Sequence, residues 1–221
     1  MEGSDIKARI ASHLQKTYEN APVLRSLAAG EVDKAALKLL ALNHYSETKA
    51  FLDVTLPARL YLCPHEAMSA KRYFWHLYGE EQGNFHFEQN HAEMFKPVCH
   101  ELGIPDEELD GYYQRYLPLV KALLLRTPSI ETMVEQLAVS LSWEGLTPHF
   151  GKQLLTTLPR VHAFSEKAMY YFKEHLSADE EHSAAALSTL VEYCTDERYI
   201  QIAMTAITTT LVTGNYLTRR L

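Results

Sequence analysis

Apolar residues recur along the chain every three or four positions, the spacing of one face of an α-helix. Ile6, Ile10 and Leu14 trace a first helix. Leu37, Leu40, His44 and Phe51 trace a longer one that starts near Val32 and runs to Pro57. A third follows Pro64 and ends near Gly83. The stretch QGNFHFEQN, Gln82 to Asn90, then breaks the rhythm, with Gly83-Asn84 as a turn signal. A fourth helix begins near His91 and stops at Gly103, and Pro105-Asp106 opens a fifth. Thr127 followed by Pro128 predicts the N-cap and first position of a sixth, which passes Trp143 and kinks at Gly145 and Pro148. A seventh covers about Ser165 to Tyr193. Thr195, with Asp196 and Glu197 in the first turn, starts the last. No stretch alternates as a strand does, and no GxGxxG loop is present. The pattern predicts an all-α bundle of about seven to eight helices, one domain over residues 1–221.

Polar residues interrupt that pattern in three places. On the seventh helix, Ala168, Tyr171 and Phe172 form an apolar stripe that Ala186, Leu190 and Tyr193 continue. His175, Asp179 and His182 occupy the core-facing positions between them, while Lys173, Glu174, Glu180 and Glu181 supply the wet face. Burying a carboxylate and two imidazoles costs several kcal/mol unless partners satisfy them. A structural Asp–His network and a metal site both meet that demand. On the sixth helix Ile130, Val134, Leu137 and Leu141 lead to Glu144, a carboxylate on the same inward stripe. The third place is GEEQGNFHFEQNHAEMF, Gly79 to Phe95. There Glu80 and Glu81 close one helix, Glu88 follows in the loop, and His91 starts the next helix. One glutamate of this region, with His91, Glu144, His175, Asp179 and His182, makes three carboxylates and three imidazoles. Mixed nitrogen and oxygen donors in that number suit two five- or six-coordinate first-row ions, iron or manganese. Zinc ordinarily takes four donors, often with sulfur.

Composition narrows the setting. A net charge of -7 without a Lys/Arg-rich run argues against nucleic-acid binding. Cys63, Cys99 and Cys194 form no CxxC pair and read as reduced thiols. The N-terminus lacks the apolar core of a signal peptide, and no run approaches the ~18 apolar residues of a membrane span. The expectation is a cytoplasmic protein without a membrane partner.

His175-x3-Asp179-x2-His182, with Glu144 31 residues earlier and His91 53 before that, resembles the heme-oxygenase-like di-iron oxidases. These share a helical fold with thiaminase II and pyrroloquinoline-quinone synthase. The resemblance spans roughly residues 10 to 215. It implies two iron ions per chain, O2 as co-substrate and oxidation of a small organic molecule, fatty-acid-like or derived from an amino acid. N-oxygenation and C–C or C–N cleavage both occur in the family. His175 and His182 would serve different irons, with Asp179 beside His182 and Glu144 as a ligand able to bridge. His91 would complete the first iron's donors together with a preceding glutamate. Glu81, followed by Gln-Gly at its helix end, matches the family better than Glu88 or Glu80. Trp143, His149, Phe150, Tyr170 and Tyr171 are candidates to line a pocket, and Lys152 to meet a substrate carboxylate. The resemblance also raises a homodimer as the assembly. A metal-free enzyme like thiaminase II or the quinone synthase, and a non-catalytic metal-binding interaction protein, are the alternatives. Likeness to thiaminase II would need a cysteine nucleophile near Glu144, where the sequence has none, and the quinone synthase manages without the metal ligands that this chain keeps.

Overall fold

The computed structural model describes residues 3–21, 25–26 and 29–217, without the side chains of residues 85, 147–150, 152, 177 and 212–217. Among the described residues every regular element is helical. They are α1 (Gly3–Asn20), α2 (Lys34–Ala50), a π-helical turn (Phe51–Thr55), α3 (Leu56–Leu62), α4 (Met68–Glu81), α5 (His91–Glu101), α6 (Asp106–Lys121), α7 (Ile130–Glu144), α8 (Leu146–Val161), α9 (Glu166–Tyr193) and α10 (Glu197–Leu217). Short 3-10 turns lie at Gly83–Phe85, Phe87–Gln89 and Ala122–Leu125.

With α2, the π turn and α3 taken as one rod, the described residues form nine helices where seven to eight are expected from the sequence. The additional one is α8. Gly145 does more than kink the chain: its N–H closes α7 on the Leu141 carbonyl, and α8 begins at the next residue. Pro148 falls in the first turn of α8, where a missing N–H is no loss. The rod also runs past Pro57. Pro57 cannot donate to the carbonyl of Asp53 and its ring would crowd it. The π turn lies over that place, with the Leu56 N–H reaching back five residues to Phe51. Two helix starts shift. Ser129, not Thr127, caps α7 by accepting from the Thr132 N–H at 3.1 Å. Asp196, not Thr195, accepts from Arg198 and Tyr199 at the start of α10. In both cases a short polar side chain nearer the helix reaches the free N–H groups.

The long helix α9 packs against α1, α4, α5, α7 and α8, and α10 covers another flank of α7. α1 lies along α10, joined by the paired hydrogen bonds of Arg9 to Glu197 at 2.7 and 2.8 Å. The predicted core stripes are buried: Val134, Leu137 and Leu141 on α7, and Ala168, Tyr171, Ala186 and Leu190 on α9. Removing such side chains from water is the main favourable term holding the bundle together. α9 therefore stands beside every helix that carries a candidate donor.

Candidate metal centre

The chain first has to bring Glu81 and His91 together, ten residues apart on two helices. The connection folds back on itself to do so. Gly83 adopts φ +67 and approaches Gln89 so closely that a Cβ would run into the Gln89 backbone. Asn84 follows at φ +50. Asn90 then caps α5, accepting from the N–H groups of Ala92 and Glu93, and its amide donates to the Gln82 side chain at 2.8 Å. The two helix ends are thus tied across the loop, and His91 Nδ1 lies 2.7 Å from Glu81 Oε2.

The other donors come from α7 and α9. Glu144 is the last residue of α7. Its turn is held by Tyr18, which donates to the Ser142 carbonyl at 2.6 Å, and Gly145 leaves room for that hydroxyl. On α9, His175, Asp179 and His182 are all buried. Their offsets of four and three residues put them on one face. The structure gathers the donor atoms into two groups, Glu81–His91–His175 and Glu81–Glu144–His182, each with its atoms within 4.8 Å of one another. Glu81 belongs to both, the place the family resemblance offers to Glu144. Asp179 is in neither group; its Oδ1 lies 3.9 Å from His182 Nδ1. Glu88 is exposed in its 3-10 turn and belongs to neither group. Glu80 is in neither group; it accepts from His182 Nε2 at 2.9 Å and lies 3.3 Å from His76 Nε2.

A cavity of about 570 Å³ opens against these residues. Glu81, Glu144, His175 and Asp179 line part of it, and most of the remaining wall is apolar, with Leu37, Leu40, Val139, Leu154 and Leu158 among the contributors. Trp143 and Tyr171 line it as expected, whereas Tyr170 is 51% exposed and does not. The side chains of His149, Phe150 and Lys152 lie outside the described residues.

A protein-family model described as "iron-containing redox enzyme" matches residues 39–212. The chain belongs to that family. Two solved structures share the architecture of this iron-containing redox enzyme. One is a domain of unknown function with a heme-oxygenase-like fold from Shewanella denitrificans. It has 15% identity and a TM-score of 0.67, covering 98% of this chain and 90% of that one. The other is a TenA homologue from Pseudomonas syringae pv. tomato. It has 16% identity and a TM-score of 0.73, covering 100% of this chain and 95% of that one. At such identity they establish the fold. No curated protein matches the chain significantly.

The chemistry of the cluster fits the iron that the family name carries. All donors are carboxylate oxygen or imidazole nitrogen. The three cysteines are buried, their thiols pushed up by burial, and none lines the cavity. His175 donates from Nδ1 to the Tyr171 carbonyl at 2.7 Å, which fixes its tautomer and leaves the Nε2 lone pair facing the group, 3.1 Å from His91 Nδ1. Burial, reinforced by His91, holds His175 down to about 3, so it stays an unprotonated donor. Burial disfavours charge on His182 too, but the hydrogen bonds it donates to Glu144 and Glu80 and the charges around them outweigh it and raise it to about 10. Burial works against the Glu81 carboxylate, yet its imidazole neighbours, His91 first, keep its pKa low. Burial and the charge of Glu81 raise Glu144. Without cations, protons on His91 and His182 neutralise part of the carboxylate charge, so cation binding should displace protons.

Sequence reasoning overlooks the layer behind the donors. Tyr171 stacks on His175 with ring centroids 4.0 Å apart and hydrogen-bonds His44 Nε2 at 2.7 Å. Burial holds His44 down to about 4, so this wall carries no charge. His44 had already shown itself as a polar residue on the apolar stripe of its helix.

Proposed function

We propose that this chain is a non-heme di-iron oxidase or oxygenase that uses O2 to oxidise a small organic substrate, fatty-acid-like or amino-acid-derived, by N-oxygenation or by C–C or C–N cleavage. One observation carries the reading: two donor groups share the buried carboxylate Glu81, which lines a largely apolar cavity of about 570 Å³. Two groups with one common carboxylate suit a pair of neighbouring ions, and donors limited to oxygen and nitrogen suit iron. Glu81, His91 and His175 would hold one ion, and Glu81, Glu144 and His182 the other, with Asp179 beside His182. Bound there, the metals supply the capacity to reduce O2 and to oxidise an unactivated bond.

The residues of the chain supply the rest. The Tyr171 carbonyl orients His175, and Glu80 orients His182. Apolar side chains from α2, α7 and α8 keep water from the reacting groups, and Phe95 and Tyr171, packed edge to face with centroids 4.9 Å apart, close one wall. Glu80, 36% exposed and bonded to His182, reaches from the cluster toward solvent and can pass protons. Reconstitution with Fe(II) under nitrogen, followed by desalting and metal analysis, tests the reading. About two irons per chain are expected, with O2 uptake stimulated by an acceptable substrate. Stoichiometric four-coordinate zinc in preference to iron, or no bound metal, would overturn it.

A further inference from the structure

The run LDVTLPARLYL, Leu52 to Leu62, carries two charges, and they have opposite fates. Asp53 lies near the surface, where it accepts from the Tyr113 hydroxyl at 2.8 Å and meets Lys49 at 3.4 Å. Arg59 is 1% exposed to solvent and lines the cavity. Its Nε donates to Gln136 Oε1 at 3.3 Å, a long bond, and its Nη1 has no hydrogen-bond partner. The guanidinium is flanked by Phe51 and Phe74, with ring centroids 5.1 and 5.7 Å from its central carbon. Burial lowers its pKa to about 10, so it is still a cation at neutral pH. A buried guanidinium is ordinarily matched by a carboxylate, because an unpaired charge in the interior is expensive. The carboxylates that share the cavity do not fill that role. Glu135 is taken by both terminal nitrogens of Arg126 at 2.6 Å, and neither Glu144 nor Glu47 comes within ion-pair distance of Arg59, although the charge of Glu144 favours its cation. Among the described residues lining the cavity, Arg59 is the only Arg or Lys.

We propose that Arg59 is the anchor for a monocarboxylate with an apolar body, seated in the cavity that the metal donors also line. The proposal deepens the oxidase reading by naming a substrate class for the same cavity. A guanidinium with free N–H groups is shaped for a carboxylate, which can accept two parallel bonds. A dianion such as a phosphate fits less well, since one cation would have to balance two charges close to Glu47, Glu144 and Asp179. The largely apolar wall asks for a hydrocarbon body. A carboxylate on Arg59 lays its hydrocarbon body along the apolar wall that the metal donors share.

Calorimetric titration of the full chain with octanoate and decanoate, against 1-octanol and 1-decanol, tests this. It is run in two arms, with chelator-treated protein and with Fe(II)-loaded protein under nitrogen. The acids are expected to bind at least about tenfold tighter than the alcohols in both arms, and Arg59→Gln should abolish that advantage while leaving alcohol binding unchanged. Arg59→Met repeats the measurement in a variant with an apolar side chain in the buried position. Equal affinity of acid and alcohol for the wild type, or an acid advantage that survives either substitution, would overturn the proposal. So would an acid advantage confined to the iron-loaded arm, which places the carboxylate on the metal. If neither variant folds, the guanidinium is a structural element and the proposal falls. Failure to load iron counts against the oxidase reading alone, because the chelated arm still reports on Arg59.

Discussion

Glu81 is the residue on which the two donor groups depend jointly, and that makes the ligands unequal. His91→Ala removes a donor from one group and should leave about one iron per chain. Glu81→Ala removes a donor from both and should leave close to none after desalting, with helix content unchanged by circular dichroism. Equal losses in the two variants would show that the groups do not share a carboxylate. Glu47, in the same cavity, gives a pH test. Burial pushes it up to about 7, against an ordinary value of 4.5. The folded chain then holds a proton that the unfolded chain has released between those values. Its ionisation therefore lowers stability as pH rises from about 4.5 to about 7, and the loss is complete above that. Glu47→Gln should match the wild type at pH 4.5 and exceed it by about 1–3 kcal/mol at pH 8, read from denaturant melts. A constant difference across the range would mean that Glu47 ionises freely. Neither Glu47 nor Arg59 stands out in the sequence, because a charge every few residues along a helix reads as a solvated face. What the sequence does show is a charge that falls on an apolar stripe, and that is how Glu144, Asp179 and the α9 histidines are found.

Helices and their connections decide whether those donors meet. The loop between α4 and α5 does so through Gly83, whose positive φ and contact with Gln89 exclude a side chain. Gly83→Ala should cost at least about 1 kcal/mol of stability, since the left-handed backbone alone is worth that much to a residue with a Cβ. It should also separate Glu81 from His91, so that less iron survives desalting. Wild-type iron content in a stably folded variant would show that the loop does not set this pairing. The sequence marks Gly83-Asn84 as a turn but not its closure by Asn90 on Gln82, which is a contact between residues eight apart. It likewise places the rod's end at Pro57, because a proline stops a regular α-helix and only the tertiary structure reveals a π turn that accommodates it. In α9, Ala178, Ser183, Ala184 and Ala185 offer little apolar surface beside His175, Asp179 and His182. Without cations Glu81, Glu144 and Asp179 repel one another inside this packing. Hydrogen–deuterium exchange over residues 173–190 should be faster in chelator-treated protein than in the iron-loaded form. Identical protection in both would mean a helix that is preformed and indifferent to metal.

At the scale of the whole bundle, the helical class and the inward stripes of α7 and α9 are legible because 3.6-residue periodicity is a local property. The separation of α7 from α8 is not, because Gly145 and Pro148 read equally as a bend. The choice among Glu80, Glu81 and Glu88 is not either, because it depends on which way a loop folds. The cavity is the least legible feature, since its wall gathers residues from α2, α3, α7 and α8. The order in which the helices pack has a consequence for biosynthesis. α10 follows all six candidate donors in the chain, yet it supplies a flank of α7 and the surface against which α1 rests. Domains fold as units while they are being made, and earlier parts wait for later ones. A nascent chain that has just exposed His182 on the ribosome holds every candidate donor but lacks the helix that packs along α7. Metal met at that moment would find ligands without a fixed geometry. The topology therefore places a fixed donor geometry after the arrival of α10 in the order of synthesis.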